Sequence, residues 1–233
     1  MQFAYLICGG TPVYKKYKVA ATHVVGIPVI RTASGAGGIS TATTTSVANS
    51  LGITVDRGLA PAAGGTISYS TTQGDNEAVY TVIVNPDAIH RALMVTGATG
   101  TSLTNRTVTT ASAGGTAVTT GFDYNTTDMD EGIIWCTSGA NVGLSRKITS
   151  TSTTAATVTV PFPNAIAVGD TFVHSPMFPG EIASTFTTDL LNIRTDLAKT
   201  GANIGCVDFE LNGTGDSYMH TQIQDHVFSA AIT

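Results

Sequence analysis

The stretch GIIWCTSGANVGLSRKITSTSTTAATVTVPFPNAIAVGDTFVHSPMFP, residues 132–179, decides how this chain folds. Short apolar and β-branched runs alternate in it with turns rich in Gly, Asn, Ser and Pro. We predict strands at IIWC, at SRKITSTS after the turn SGANVG, at ATVTVPF, and at TFVHS after the turn AVGD. Turns that recur about every ten residues are typical of a β-barrel or β-sandwich. The stretch holds no convergent set of His, Asp, Glu, Cys or Lys, which favours a surface that packs against other surfaces over a catalytic centre.

The composition extends this prediction to the whole chain. Its 233 residues are enough to bury a core without disulfide bonds. Charged residues make up 12% of the chain, against the ~25% that is usual for globular proteins. Thr and Val favour pleated strands, and Gly and Pro supply many turns. Because soluble proteins normally keep a well-charged surface, we expect partners to cover much of this exterior.

The predicted fold class is mainly β, with a small N-terminal β unit and a larger β-barrel or β-sandwich that includes one short helix. The N-terminal unit covers residues 1–74. Within it, residues 12–31 are predicted to form two strands. The Gly-, Ala-, Pro- and Ser-rich stretch 57–77 is predicted to be an arm that reaches a neighbouring subunit. The second unit, 75–233, is predicted to end in a hairpin that turns at Asn212 and Gly213.

The one predicted helix follows the apolar strand YTVIVN. Asn85 is a suitable N-cap, Pro86 occupies the first helical position, and Asp87 lies in the first turn. Ile89 and Leu93 fall on one helical face, and the helix is predicted to end at Gly97.

The charge pattern argues against nucleic acid and membrane partners. The net charge is −5, whereas binding a phosphate backbone requires clustered Lys and Arg. The densest basic spots are Lys15, Lys16 and Lys18, and the pair Arg146 and Lys147, which we interpret as solvated strand ends. No apolar run approaches the ~20 residues that span a bilayer, and the N-terminal apolar run lacks the basic residues that open a signal peptide.

The cysteines and the acidic residues show no metal-binding pattern. Cys8, Cys136 and Cys206 lack zinc-ligand spacing, and we interpret them as buried free thiols in a protein assembled in a reducing compartment. Asp128, Asp130 and Glu131 form an acidic cluster without the full ligand spacing of a calcium loop. A loop without an ion is the favoured interpretation, and a weak structural cation is the alternative.

The remaining candidate residues are scattered as well. The five histidines, which form no HExxH or HxH pattern, are His23, His90, His174, His220 and His226. An acid–base dyad in the segment His220–His226, where Asp225 adjoins the last histidine, is the alternative to a polar strand face. Trp135 is predicted to pack in the core, with an interface anchor as the alternative. We therefore assign no catalytic, cofactor-binding or metal-binding residue and expect no enzyme activity and no cofactor.

Several segments together resemble structural proteins of tailed bacteriophages. KYKVAATHVVGIPV, followed by TTTSVANSLGITVD, resembles the opening of small auxiliary proteins encoded in phage head modules. YTVIVNPDAIHRALM and the run GANVGLSRKITS, with the closing VGDTF, resemble other phage structural proteins. The resemblance covers most of the chain, which is longer than the smallest proteins of this kind. It implies a capsid decoration (cement) protein, which lies on the outer capsid surface and bridges neighbouring major capsid subunits.

This resemblance sets the functional expectation. The chain is expected to be a virion structural protein that binds the major capsid protein and itself, as a homotrimer, on the outer capsid surface after assembly in the host cytoplasm. Residues 1–40 and 57–77 are expected to make the capsid or neighbour contacts. A tail or fibre component that binds host surface glycan is the alternative. A hydrolase of cell-wall or capsule polymer would need two carboxylates across a cleft, and the acids here are scattered.

Overall fold

The fold is known for twelve stretches of the chain. The structure, a computed structural model, describes residues 5–8, 13–19, 28–31, 38–41, 50–57, 79–84, 88–97, 102–124, 129–180, 192–196, 204–212 and 217–223.

All regular secondary structure in these stretches is β-strand, which confirms the prediction of a mainly β protein. The sixteen strands are β1 (Tyr5–Cys8), β2 (Tyr14–Val19), β3 (Pro28–Arg31), β4 (Gly38–Thr41), β5 (Ser50–Arg57), β6 (Val79–Ile83), β7 (Ile89–Val95), β8 (Arg106–Thr110), β9 (Ala117–Thr120), β10 (Ile133–Ser138), β11 (Ser145–Thr151), β12 (Ala155–Val158), β13 (Thr171–Ser175), β14 (Asn192–Arg194), β15 (Ile204–Glu210) and β16 (Tyr218–Ile223).

Five strands close into a small barrel, here called the first barrel, in the order β2-β4-β3-β5-β6. The antiparallel pairing of β2 with β6 closes the ring. Val29, Leu51 and Val82 are fully buried. The two strands predicted within residues 12–31 correspond to β2 and β3, whereas residues 58–77, most of the predicted arm, lie outside the described residues.

Strand pairing crosses the predicted boundary between residues 74 and 75. β6 follows that boundary in the chain, yet it pairs with β2 and β5 of the first barrel. β1 precedes the boundary and pairs with β7. The division into two domains at this position stays a prediction.

The second barrel consists of six strands in the closed order β10-β11-β12-β9-β8-β13. It contains the strands predicted from the stretch 132–179 and a hairpin formed by β8 and β9. Asn141, fully buried in the turn between β10 and β11, donates from Nδ2 to the carbonyl oxygen of Asn164 (3.0 Å) and accepts from the Asn164 N–H (3.1 Å). This side chain therefore joins two loops at one end of the barrel.

A five-stranded sheet, here called the central sheet, joins distant parts of the chain. β7 pairs with β16 on one side and with both β1 and β14 on the other, and β15 pairs with β16. The antiparallel pairing of β15 with β16 confirms the predicted final hairpin; its turn residues 213–216 are not among those described.

The helix predicted after Asn85 is wrong, because residues 89–95 form the strand β7. Its two faces are both covered: Ala92 and Met94 belong to one buried cluster, and Leu93 and Val95 to another. A strand buried on both faces is a near-continuous apolar run, whose spacing also fits a helix face. Residues 89–95 form a strand because they pair with β1, β14 and β16. The capping residues 85–87 lie outside the described part.

One strand, β10, connects the two main cores. Ile134 and Cys136 pack with Phe172 in the second-barrel core. Ile133 and Trp135 point the other way and pack with residues of the central sheet and of the first barrel, namely Ala92, Met94, Ile193, Cys206, Met219 and Ile53. Trp135 is only 2% exposed, which agrees with the core role predicted for it.

We expect the turn glycines to differ in how much stability they contribute. Gly139 has a φ of 99°, and a Cβ there would lie 2.1 Å from an Asp170 carboxylate oxygen. That carboxylate accepts the Ala167 N–H (2.9 Å) and would have to move. Gly139→Ala should therefore lower the free energy of unfolding by about 2–3 kcal/mol, from backbone strain plus a lost hydrogen bond.

Gly143→Ala is the matched control, since Gly143 also has a positive φ, 82°, but nothing lies within 4 Å of its added Cβ. It should cost only about 1 kcal/mol of backbone strain. Urea denaturation of the two variants measures the difference, and equal losses would contradict the close packing of Gly139 against Asp170.

Candidate functional site

Among the described residues, the acidic cluster and the histidines of the sequence analysis do not converge. Asp130 and Glu131 are exposed, and Asp128 lies outside the described residues. Across the described stretches, no group of three or more His, Cys, Asp or Glu could hold a metal ion. His23, Asp225 and His226 also lie outside the described part, so the alternative dyad stays a prediction.

His90 and His174 are buried as neutral rings. Burial lowers the pKa of His90 to about 4. Burial, with a further contribution from Arg106, lowers the pKa of His174 to about 3. The Nδ1 atoms of both rings are buried and have no hydrogen-bond partner in the part of the chain that the structure describes. The His174 ring lies 4.4 Å from that of Phe122 and 5.5 Å from that of Tyr124, so it serves as an aromatic packing group inside the second barrel.

The central sheet carries an ion pair that spans three strands. Arg91 on β7 donates from Nε and Nη2 to the two carboxylate oxygens of Glu210 on β15, at 2.9 and 2.7 Å. Its guanidinium lies 3.4 Å from the ring centre of Tyr218 on the intervening strand β16. His220 Nε2 is 3.7 Å from Glu210. The hydrogen bonds from Arg91 hold the pKa of Glu210 below its usual value, so this carboxylate is a structural anion.

The cysteines that the structure describes in full are buried and free, as predicted. Cys136 donates from Sγ to the carbonyl oxygen of Ser138 (2.8 Å), and Cys206 lies in the shared core. The side chain of Cys8 is not described.

The remaining feature is an open groove of about 450 Å³ on the second barrel, here called the β11 groove. Its lining comes from three segments: the β10–β11 hairpin, the residues that follow β12, and the residues that follow β13. The lining residues are Ile133, Ser145, Arg146, Lys147, Thr159, Val160 and Phe178. The groove therefore combines two cations with two hydroxyl groups and three apolar side chains.

The two cations are held in different ways. Arg146 donates from Nη1 to the carbonyl oxygen of Ser145 (2.7 Å) and from Nε to that of Pro161 (3.3 Å). Lys147 forms an ion pair with Glu131, and its Nζ lies 5.1 Å from the ring centre of Phe178. Both basic side chains are half-buried, whereas the sequence analysis interpreted them as solvated strand ends.

Glu131 adopts a left-handed backbone, with a φ of 67°. The N–H of Glu131 donates to the Ile148 carbonyl oxygen (3.1 Å), and the Ile148 N–H donates to that of Gly132 (2.8 Å). Glu131 and Gly132 on one strand therefore lie opposite the single residue Ile148 on the other, and this arrangement is a β-bulge. Only glycine fits at position 132, because a Cβ there would lie 2.3 Å from the Ser175 carbonyl oxygen. Glu131 is the left-handed residue of the bulge, and its carboxylate forms the ion pair with Lys147 beside the groove.

The rest of the second-barrel surface is almost uncharged. Within residues 102–124 and 129–180, the exposed charged residues are Asp130 and Glu131 alone. The same part exposes ten threonines: Thr104, Thr107, Thr109, Thr110, Thr116, Thr149, Thr153, Thr154, Thr157 and Thr159. Val142, Val160 and Val168 are exposed at 61%, 56% and 64%. This surface is suited to contact with other protein surfaces.

The groove could not be predicted from the sequence. The adjacent cations Arg146 and Lys147 and the exposed Val160 were visible, but the contact of Lys147 with Phe178 joins segments that lie far apart in the chain.

Comparison with known proteins adds no assignment. No family model, curated protein or solved structure matches this chain. In the part of the chain that the structure describes, no helix has the length and apolar character that crossing a bilayer requires.

We expect the buried histidines to make the fold sensitive to acid. The pKa of His174 is about 3 in the folded state and 6.5 is its ordinary value, so below about pH 6.5 the unfolded chain binds a proton that the folded chain does not. Stability should be full above that pH and fall as the pH decreases. Each buried histidine should remove about 1–2 kcal/mol between pH 7 and pH 5.

His174→Phe tests this expectation, because a phenyl ring keeps the packing with Phe122 and Tyr124 and cannot be protonated. The free energy of unfolding, measured by urea denaturation at pH 7 and pH 5, should fall by about 1–2 kcal/mol less in the variant than in the wild type. An identical pH dependence in both proteins would show that His174 is not held neutral.

Proposed function

We propose that this chain is a virion structural protein of a tailed bacteriophage and that it decorates the capsid. It binds the outer surface of the assembled shell and stabilises it by bridging major capsid subunits. Its partners are the major capsid protein and other copies of itself, as a homotrimer. It makes no contact with nucleic acid or membrane, and it joins the shell in the host cytoplasm.

The observation that carries the proposal is the nearly uncharged, hydroxyl-rich exterior of the second barrel. An isolated soluble domain usually exposes many charges of both signs. Within residues 102–124 and 129–180, the adjacent Asp130 and Glu131 are exposed, and the other five charged residues are half-buried. Threonine hydroxyls and valine side chains can be buried against another protein without the cost of desolvating charges. A surface of this kind supports a role in a permanent assembly.

The overall charge supports the outer side of the shell. The net charge of −5 would be repelled by packaged DNA, whereas the exterior imposes no such penalty. In the described parts of the N-terminal segment, Val13 and Tyr14 are exposed at 48% and 57%. These apolar side chains are candidates for the contacts that we assign to residues 1–40; residues 58–77 of the proposed arm lie outside the described part.

The proposed mechanism is selective binding to the assembled state. A ligand that binds the assembled shell and not its free subunits stabilises the shell by mass action. A trimer placed on a three-fold axis engages several subunits at once, so modest individual contacts give strong retention.

The test is to mix the purified protein with shells of the encoding phage that were assembled without it. We expect the protein to sediment with assembled shells, to raise their melting temperature, and not to bind isolated capsid subunits. Antibody labelling of intact virions should mark the head. Labelling of the tail would instead support a tail or fibre component that binds host surface glycan, and absence of shell binding would refute the decoration role.

A further inference from the structure

We propose that the β11 groove docks a short acidic segment of a neighbouring capsid subunit, one that carries an apolar side chain next to a carboxylate. This inference rests on the proposed function and names the surface and the chemistry of the contact. It follows from three properties of the groove: a wall held by hydrogen bonds, a cation with no carboxylate partner among the described residues, and an exposed apolar side chain at the rim.

The wall of the groove is braced by hydrogen bonds between its segments. Thr159 donates both its N–H (2.9 Å) and its Oγ1 (3.2 Å) to the carbonyl oxygen of Lys147. The bond from Arg146 Nε to Pro161 adds a second link between β11 and the segment after β12. A preformed site loses little conformational entropy on binding. Its volume of about 450 Å³ suits a few side chains of a partner segment.

The charges of the groove call for an anion. Arg146 has two neutral carbonyl acceptors and stacks at 5.0 Å over the ring of Phe162. Among the described residues it has no carboxylate partner. Lys147 is held in place by Glu131 and by Phe178, and 35% of its side chain remains exposed. Both residues line the groove, and a cation that is partly shielded from water binds a carboxylate more strongly than a fully exposed cation does.

The apolar part of the groove selects the kind of anion. Val160 is 56% exposed at the rim, and Ile133 and Phe178 also line the groove. A peptide offers an apolar side chain next to a carboxylate, whereas a nucleic acid backbone offers a row of phosphates that many cations must neutralise. Two cations in a chain with a net charge of −5 do not meet that requirement, so we assign the groove to an acidic protein segment.

Glu131 gives the proposal a distinctive consequence. An incoming carboxylate must share Lys147 with Glu131, which repels it. Glu131→Gln removes that repulsion without changing the size of the side chain, and it should therefore tighten binding. A residue with a merely structural role would weaken binding or leave it unchanged.

The experiment measures the affinity of variants for shells of the encoding phage assembled without this protein, by co-sedimentation at low and at physiological salt. The double variant Arg146→Gln with Lys147→Gln should bind about tenfold more weakly, as expected for two lost charge contacts, and should lose most of the salt dependence. Glu131→Gln should bind about threefold more tightly.

Two controls match these variants. Asp208→Asn removes an exposed carboxylate of β15, outside the groove and outside residues 1–40 and 57–77, and it should leave the affinity within about twofold of wild type. Val160→Asp should weaken binding about fivefold by placing a carboxylate at the rim, whereas Val168→Asp, at an equally exposed valine outside the groove, should not. The thermal melting temperature of each variant shows that it is folded.

The outcomes separate this inference from the proposed function. If the wild type does not bind shells, the decoration role itself fails. If the wild type binds and the groove variants bind equally well, the groove assignment is overturned and the decoration role stands. The assignment is also overturned if the double variant changes the oligomeric state in sedimentation velocity, which would make the groove a contact between copies, or if the wild type binds short duplex DNA through Arg146 and Lys147.

Discussion

The structure depends on the alternation of side chains along β10, whose two faces are buried in two different cores. Ile134 and Cys136 fill the second barrel, and Ile133 and Trp135 pack against the central sheet and Ile53 of the first barrel. Because successive side chains of a strand point to opposite faces, a shift of one residue would exchange the two sets. One register therefore fixes both how the second barrel closes and how it is attached to the rest of the protein.

Burial of these apolar side chains between the two cores leaves a mostly polar, uncharged surface on the rest of the second barrel. The attachment takes up Ile133, Trp135 and Val173 on the outer side of the second barrel. The remaining outer positions of β8, β11 and β12 carry mostly threonine and serine. Threonine supports strands and keeps a hydroxyl for water, but it gives none of the repulsion between molecules that charges provide. A barrel built this way has little to prevent close contact with neighbouring proteins.

How much the sequence could predict depends on the range of the interactions. The strands of residues 133–175 could be predicted from apolar and β-branched runs that alternate with turns such as SGANVG. Both signals are local in the sequence. β7 was not predictable in this way, because Ile89 and Leu93 have helical spacing and the pairing partners lie near both ends of the chain. The β11 groove depends on Phe178 reaching Lys147 and on Thr159 bonding to its carbonyl oxygen. Such contacts arise only from the closed barrel, so the sequence alone predicted solvated cations there.

The bulge at Glu131 and Gly132 links barrel closure to the electrostatics of the groove. Close approach to Ser175 requires glycine at position 132. The first position of the bulge is left-handed and is occupied by Glu131, at a cost of about 1 kcal/mol. The carboxylate is thereby placed against Lys147 and offsets part of its charge. In the binding that we propose, a single groove holds an acidic segment only weakly. Weak, identical contacts suit a symmetric assembly, since each copy can dissociate and rebind until all contacts form together, and their combined strength then retains every copy.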